Sequence, residues 1–218
     1  MNRLRIGTYN IHILADVAGD ATQIAEDILS AQLDVVGLQE VDRYTERSGN
    51  KDQVEAIADA LDWNYGFSKT IDLQGGDYGH GVVSRYPVLS HKTYLLPSEG
   101  EEQRVFSHGV ILVGERKVNL INVHLSFTGR QDEQFLFLAQ YVANLEDYII
   151  TGDFNCEQKQ KFLALGGNLV NLTPTPMVTN VDGAIDNIIV SQNYTIGQRK
   201  MVETNHSDHR LLYAEILF

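Results

Sequence analysis

The 218-residue chain is 43% hydrophobic and 21% charged, enough apolar material for one sizeable core, and no Pro-, Ser- or Gln-rich linker divides it, so residues 1–218 read as a single domain. Twenty-nine acidic against 17 basic residues leave a formal net charge of −12, which disfavours a non-specific grip on nucleic acid; only a local cluster of Lys69, Arg85, Arg104 and Arg130 keeps that class open. No apolar run approaches the roughly 20 residues of a membrane helix, "MNRLRIGTYNIH" holds no signal-peptide core, and a single cysteine, Cys156, rules out an internal disulfide, so a soluble, cytoplasmic protein is expected.

The first predicted element is a strand, "LRIGTYNI" (4–11), by its alternation. Ala21, Ile24, Ala25, Ile28 and Leu29 then fall at helical spacing behind Asp20 as N-cap. "DVVGLQE" reads as a buried strand, and Val54, Ile57, Ala58 and Leu61 mark a second helix. "GHGVVS", "VFSHGVILV" and "KVNLINVHLS" read as strands, the last two joined by a tight "GERK" hairpin turn. Phe135, Leu138, Val142 and Leu145 mark a third helix, followed by the strand "YIIT", a short helix near "KQKFLAL", and the strands "IDNIIVS", "YTIGQ" and "RLLYAEILF". Hairpins mixed with helical crossovers imply mixed sheets covered by helices, an α/β or α+β layered body.

Polar residues interrupt these apolar runs at their ends. Asn10 and His12 close the first strand, Glu40 closes "DVVGLQE", His124 closes "NLINVHL", and Asp153 with Asn155 closes "YIIT". Asp186 opens "IDNIIVS", and Asp208 with His209 precede the last strand. If the late strands run antiparallel to the early ones, these ends and beginnings meet at one edge of the sheets. Carboxylate and amide oxygens without thiolates suit a hard divalent cation, Mg²⁺ or Mn²⁺, which shares its positions with water and substrate phosphate. Zinc fits less well, because the histidines lack the i, i+4 spacing of a helical zinc site. A hydrated hard metal with imidazoles and carboxylates suits phosphate-ester hydrolysis.

In order and spacing, "TYNIH", "LQEVD", "YGHGVVSRYPV", "NVHLS", "GDFN", "IDNIIVS" and "SDHR" resemble the endonuclease/exonuclease/phosphatase superfamily, whose members include pancreatic-type DNases, abasic-site endonucleases, sphingomyelinases, deadenylases and inositol-polyphosphate 5-phosphatases. The resemblance covers essentially the whole chain. It implies a DNase I-like four-layer α/β sandwich, two mixed β-sheets packed face to face with helices outside, and a Mg²⁺-dependent phosphoesterase site at one end. By the same resemblance Glu40 matches the principal metal carboxylate, with Asn10 and Asp208 completing or bordering the metal site. Asp153 matches the acid that orients or activates water, Asn155 its partner, His209 the imidazole at the scissile phosphate, and Asp186 the acid paired with it. His124 matches the second histidine, and Arg104 an arginine that clamps substrate. His80 and Asn187 depart from the pattern, at positions where Asn or a small residue, and Tyr or Arg, are usual; His80 is thereby a substrate-contact expectation.

Taken singly, a strand-end Asp or Asn is more often a turn former, and His12, His91, His108 and His206 read as structural. For Glu40, Asp153, Asp208 and His209 the bland reading is weak, since folding alone does not put an acid at the end of so many buried strands. The expected activity is metal-dependent hydrolysis of a phosphate ester, mono- or diester, with a nuclease as the alternative and a non-catalytic module behind it. Substrate choice is expected in loops 69 to 80, 97 to 104 and 126 to 133.

Overall fold

The computed structural model describes residues 3–218; residues 1 and 2 lie outside it. The alternating N-terminal stretch forms β1 (Arg3–Asn10), and the apolar helical spacing after it forms α1 (Ala21–Ser30), with the Asp20 side chain accepting from the Thr22 N–H as its cap. β2 (Val35–Arg43), α2 (Gln53–Leu61), β3 (Asn64–Leu73), β4 (Gly76–Ser84), β5 (Val88–Leu95), β6 (Val105–Val113) and β7 (Arg116–His124) follow. The chain ends through α3 (Gln131–Val142), β8 (Ile149–Asp153), α4 (Lys159–Phe162), β9 (Asn168–Leu169), β10 (Asp186–Val190), β11 (Thr195–Val202) and β12 (Leu211–Leu217). None of the described helices is long and apolar enough to cross a membrane.

The strands make two six-stranded sheets, ordered β11-β12-β1-β2-β4-β3 and β5-β6-β7-β8-β10-β9. Each sheet has one parallel pair at its centre, β1 with β2 and β7 with β8, bridged by α1 and α3 respectively, and every other pairing is antiparallel. The sheets pack face to face over Leu4, Ile6, Val35, Leu120, Ile149 and Ile188. Separate apolar clusters lie beneath α1 and α2 on one outer face, and beneath α3 and α4 on the other. The result is the expected α+β sandwich of two mixed sheets with helices outside.

The strand period of two grades the inner faces along their length. On β1 the inward residues run Ile6, Thr8, Asn10; on β7, Leu120, Asn122, His124; on β8, Ile149, Thr151, Asp153. Each strand therefore goes from apolar, through a buried hydroxyl or amide, to a candidate catalytic group. The middle tier is a hydrogen-bonded layer between the sheets. Gln39 Nε2 donates to Asn122 Oδ1 at 2.7 Å, Thr151 Oγ1 to the same oxygen at 3.1 Å, and Asn122 Nδ2 to the carbonyls of Leu38 and Gly81 at 3.0 and 2.9 Å. Gly37 sits where a Cβ would collide with the Thr151 and Asn122 side chains.

Three expectations change. The segment 69 to 80 is the β3–β4 hairpin rather than a loop, β5 is a strand where none was predicted, and Leu145 lies beyond the end of α3. The strands missed, β3, β5 and the two-residue β9, are all sheet edges, where only weak inward-outward contrast develops.

Candidate active site

Parallel pairing aligns the carboxyl ends of the central strands, Asn10 opposite Gln39 and His124 opposite Asp153. Antiparallel pairing brings the first residue of β10 to the same edge, with Asp186 opposite Asp153. The 207–209 turn before β12 is tied there by Ser207, whose Oγ donates to the Asn10 carbonyl at 2.7 Å and accepts from the His209 N–H at 3.2 Å. Sheet register, with the Ser207 tie, thus gathers these candidate residues at one end of the sandwich.

At the centre stands Asp153, 2% exposed. Asn10 Nδ2 donates to its Oδ2 at 3.1 Å and to Glu40 Oε1 at 3.0 Å, so a single amide holds both carboxylates. The His124 and His209 Nε2 atoms face the same Asp153 oxygen at 3.6 and 3.7 Å, and His209 Nδ1 bonds Asp186 Oδ2 at 2.8 Å. Asn155, at a positive φ of 49°, turns its N–H back to Asp153 Oδ1 at 2.9 Å and donates its amide to the Leu125 carbonyl. Glu40 also has a positive φ, 53°, at the bulge where the β2–β4 register shifts, which re-aims its side chain out of the strict alternation.

Burial pushes the Asp153 carboxyl up to about 7, helped by the charge of Asp186 and opposed by His209 and the Asn155 and Asn10 hydrogen bonds. For His209, burial works against the cation. The Asp186 charge and hydrogen bond, with Asp153 and Asp208 behind them, outweigh it and raise the imidazole to about 9. His124 is held well below its ordinary value by burial, with the charges of Arg104, His80 and His209 adding to it, so it is neutral. The three groups divide their roles by environment: an imidazolium fixed by Asp186, a neutral imidazole, and a carboxylate between them.

Glu40, His12, Arg47, Tyr78 and Glu102 line a cavity of about 300 Å³ beside this centre. His12, read as structural from sequence, stands at its mouth with Nδ1 2.8 Å from Asp16 and 3.8 Å from Asp208. Burial would lower its pKa, but Asp16, Asp208 and Glu40 together raise it. Arg104 is 7% exposed, its Nε lacks a hydrogen-bond partner, and its Nη2 lies 3.5 Å from Glu102. His80 is 1% exposed, with an unpartnered Nε2 and a pKa lowered to about 3 by burial and by His91 and Arg104, so almost none of it is open to a substrate. His91, His108 and His206 each have polar partners: Ser68, Tyr141 with Asn119, and Asp27.

The donor set fits a hard divalent cation. Glu40, Asn10, Asp208 and Asp153 are oxygen-bearing, a second group of His12, Asp16 and Asp208 has ligand atoms within 4.8 Å of one another, and the buried Asp186 Oδ1 has no hydrogen-bond partner. Asp153, Asp186 and His209 also lie within that distance. There the 2.8 Å bond from His209 Nδ1 makes a hydrogen-bonded pair the better description.

Sequence missed Ser207, Tyr78 and two glutamines that shape the rim. Gln131 Nε2 donates to the Ser126, Phe154 and Asn155 carbonyls, and Gln134 accepts from the Ser126 N–H. Their only sequence signal was a polar residue on the inward face of α3.

Known proteins share this fold. Human nocturnin's catalytic domain, solved with a bound sulfate anion, superposes with a TM-score of 0.79 at 20% identity over 99% of this chain and 93% of that one. A Bacteroides thetaiotaomicron mannosyl-6-phosphatase superposes at 0.71, with 17% identity over 99% of this chain and 100% of that one. The uncharacterized protein YbhP of Escherichia coli K12 is 24% identical over 168 residues, which span 69% of this chain and 66%, just under two thirds, of YbhP. The model of the endonuclease/exonuclease/phosphatase family matches residues 7–209, nearly the full length, and the chain belongs to that family.

Proposed function

We propose that this protein is a divalent-metal-dependent hydrolase of small phosphate esters. The observation that carries it is the meeting of Asp186–His209, His124 and Asn10–Glu40 around the buried Asp153 at one sheet edge. Glu40, Asn10 and Asp208 would hold Mg²⁺ or Mn²⁺, which neutralises phosphoryl oxygen charge when bound. Asp153, steadied by the Asn155 N–H and the Asn10 amide, orients a water and accepts its proton. The His209 imidazolium, fixed through Nδ1 by Asp186, stabilises charge developing on the phosphoryl group. Neutral His124 donates its ring N–H to the same group, and Arg104, whose charge is felt at His124, adds positive potential there. That the nocturnin catalytic domain binds a sulfate and that another protein of this fold is a mannosyl-6-phosphatase support a reading in which the fold takes up a tetrahedral oxyanion.

Purified protein is expected to hydrolyse bis-p-nitrophenyl phosphate with Mg²⁺ or Mn²⁺ and to stop on EDTA addition. Asp153→Ala is expected to lower kcat by about 10³-fold or more, the combined scale of lost base and lost orientation; undiminished turnover in that variant would overturn the mechanism. A nuclease is the alternative reading, and the family's breadth supports it.

A further inference from the structure

A cavity of about 440 Å³ lies outside the catalytic groups. It opens beside them, between the 3-10 turn at residues 12–17 and the tight 44–52 loop, and it shares Ile13 and Arg47 with the cavity at Glu40. Ile13 and Arg47 thus face both cavities.

Its walls have two characters. Ile13, Leu14, Ala15 and Ala56 are apolar, while Lys51 and Arg47, the latter paired through two of its nitrogens with Asp42, bring basic groups to the same cavity. Arg47 is built in. Its Nε and Nη2 make a two-pronged bond, 2.6 and 2.8 Å, to the fully buried Asp42 carboxylate, so Nη1 is in neither bond. Its guanidinium lies 5.6 Å from the ring of Tyr78, the residue that lines the catalytic cavity with Glu40. The backbone N–H of Arg47 is held by Gln74 Oε1, and Gln53 clasps the two walls together by bonding both the Asp42 N–H and the Ile13 carbonyl. An arginine pre-positioned in this way loses little freedom on meeting an anion.

We propose that this lateral cavity is a second-anion subsite, in which Arg47 and Lys51 receive a second phosphate of the substrate while Ile13, Leu14 and Ala56 cover the carbon skeleton joining it to the scissile one. This rests on the phosphoesterase reading above. It narrows the substrate class to compact bisphosphorylated esters, because the two cavities together match the size of small-molecule sites.

Alkane α,ω-bisphosphonates of increasing length, each paired with the monophosphonate of equal length, test this by calorimetry at fixed free Mg²⁺. Their C–P bonds are not hydrolysed, so binding is read without turnover. One matched length is expected to bind at least about tenfold tighter than its monophosphonate, the scale of one charge-assisted bond pair. Lys51→Ala, which leaves the Asp42–Arg47 bond intact, and Ala15→Trp, which fills the cavity from an exposed position, are each expected to erase that preference. Absence of any length preference, or its survival in both variants, would overturn the subsite. Loss of bis-p-nitrophenyl phosphate hydrolysis with the preference intact would sink the phosphoesterase reading alone, and hydrolysis without preference would sink the subsite alone.

Discussion

At His209 burial and charge oppose each other, and the balance is set by one neighbour. The imidazole is 5% exposed, which on its own favours the neutral ring, yet Asp186 at 2.8 Å holds it protonated up to about 9. Replacing Asp186 with Asn keeps the size and removes the charge. The raised pKa then falls, so the alkaline limb of the kcat–pH profile is expected to move to lower pH, and kcat at neutral pH to drop on the order of 10²-fold. An Asp186→Asn profile with an unmoved alkaline limb would remove His209 from the charged role. These acidic and imidazole residues were visible in the sequence because each closes or opens an apolar strand. His12 also closes its strand but was read as structural, because nothing in the sequence reports the run of left-handed backbone at residues 12–14 that sets it at the cavity mouth, and Ser207 acts through backbone groups, one of them distant in the chain, which no local pattern encodes.

Strand by strand, the inner faces repeat one plan, in which apolar residues bury the far end and hydrogen-bonded amides and hydroxyls support the catalytic end. The strands that follow it were legible from alternation, whereas β3 and β5, at the sheet edges, carry polar residues on both faces and gave no such signal. The helix period likewise could not report that α3 turns Gln131 and Gln134 inward to brace loops. Close approach of the sheets under the site makes a measurable demand at Gly37. An added methyl meets Thr151 and Asn122 side chains already committed to the inter-sheet bonds. Gly37→Ala is therefore expected to destabilise by about 1–3 kcal/mol in urea unfolding, the usual scale of overpacking. Gly109→Ala on β6, where the nearest atom lies at an ordinary 3.6 Å, is expected to change stability by less than about 1 kcal/mol.

For the whole molecule, buried neutral histidines link stability to pH. His80 has a folded pKa of about 3 against 6.5 in the open chain, and His124 and His91 are also depressed, burial being the largest cause in each. A depressed folded pKa contributes stability that is fully present above about pH 6.5 and is lost as pH falls toward the folded value, because only the unfolded chain takes up the proton. Between about pH 6.5 and pH 5, above most carboxylate titration, stability should fall with a slope approaching ~1.4 kcal/mol per pH unit for each such histidine. Urea titrations of wild type and His80→Asn check this: the variant's slope should be shallower by about one proton's worth, and parallel slopes would contradict the neutral assignment.

Net charge and its pairing favour the proposed small esters over nucleic acid. Of the residues from which a basic patch was conceivable, three are committed to an acid, Lys69 to Asp72 and Asp77 at 2.6 and 2.8 Å, Arg85 to Asp34 at 3.1 Å and Arg130 to Glu133 at 2.8 Å, and the fourth, Arg104, is only 7% exposed. Phosphate-backbone binding draws on cations free to displace counterions, and each such contact steepens the fall of affinity with salt by close to one unit on a log–log scale. With those three side chains paired, Arg104 buried and a net charge of −12, few such contacts are available. Hydrolysis of bis-p-nitrophenyl phosphate is therefore expected to change less than about twofold between 50 and 200 mM KCl, while a 20-base-pair duplex should show no saturable binding at either concentration. Tight duplex binding with a log–log salt slope steeper than about −3 would reverse the choice, and would require the Asp72, Asp77, Asp34 and Glu133 carboxylates to release their partners on contact.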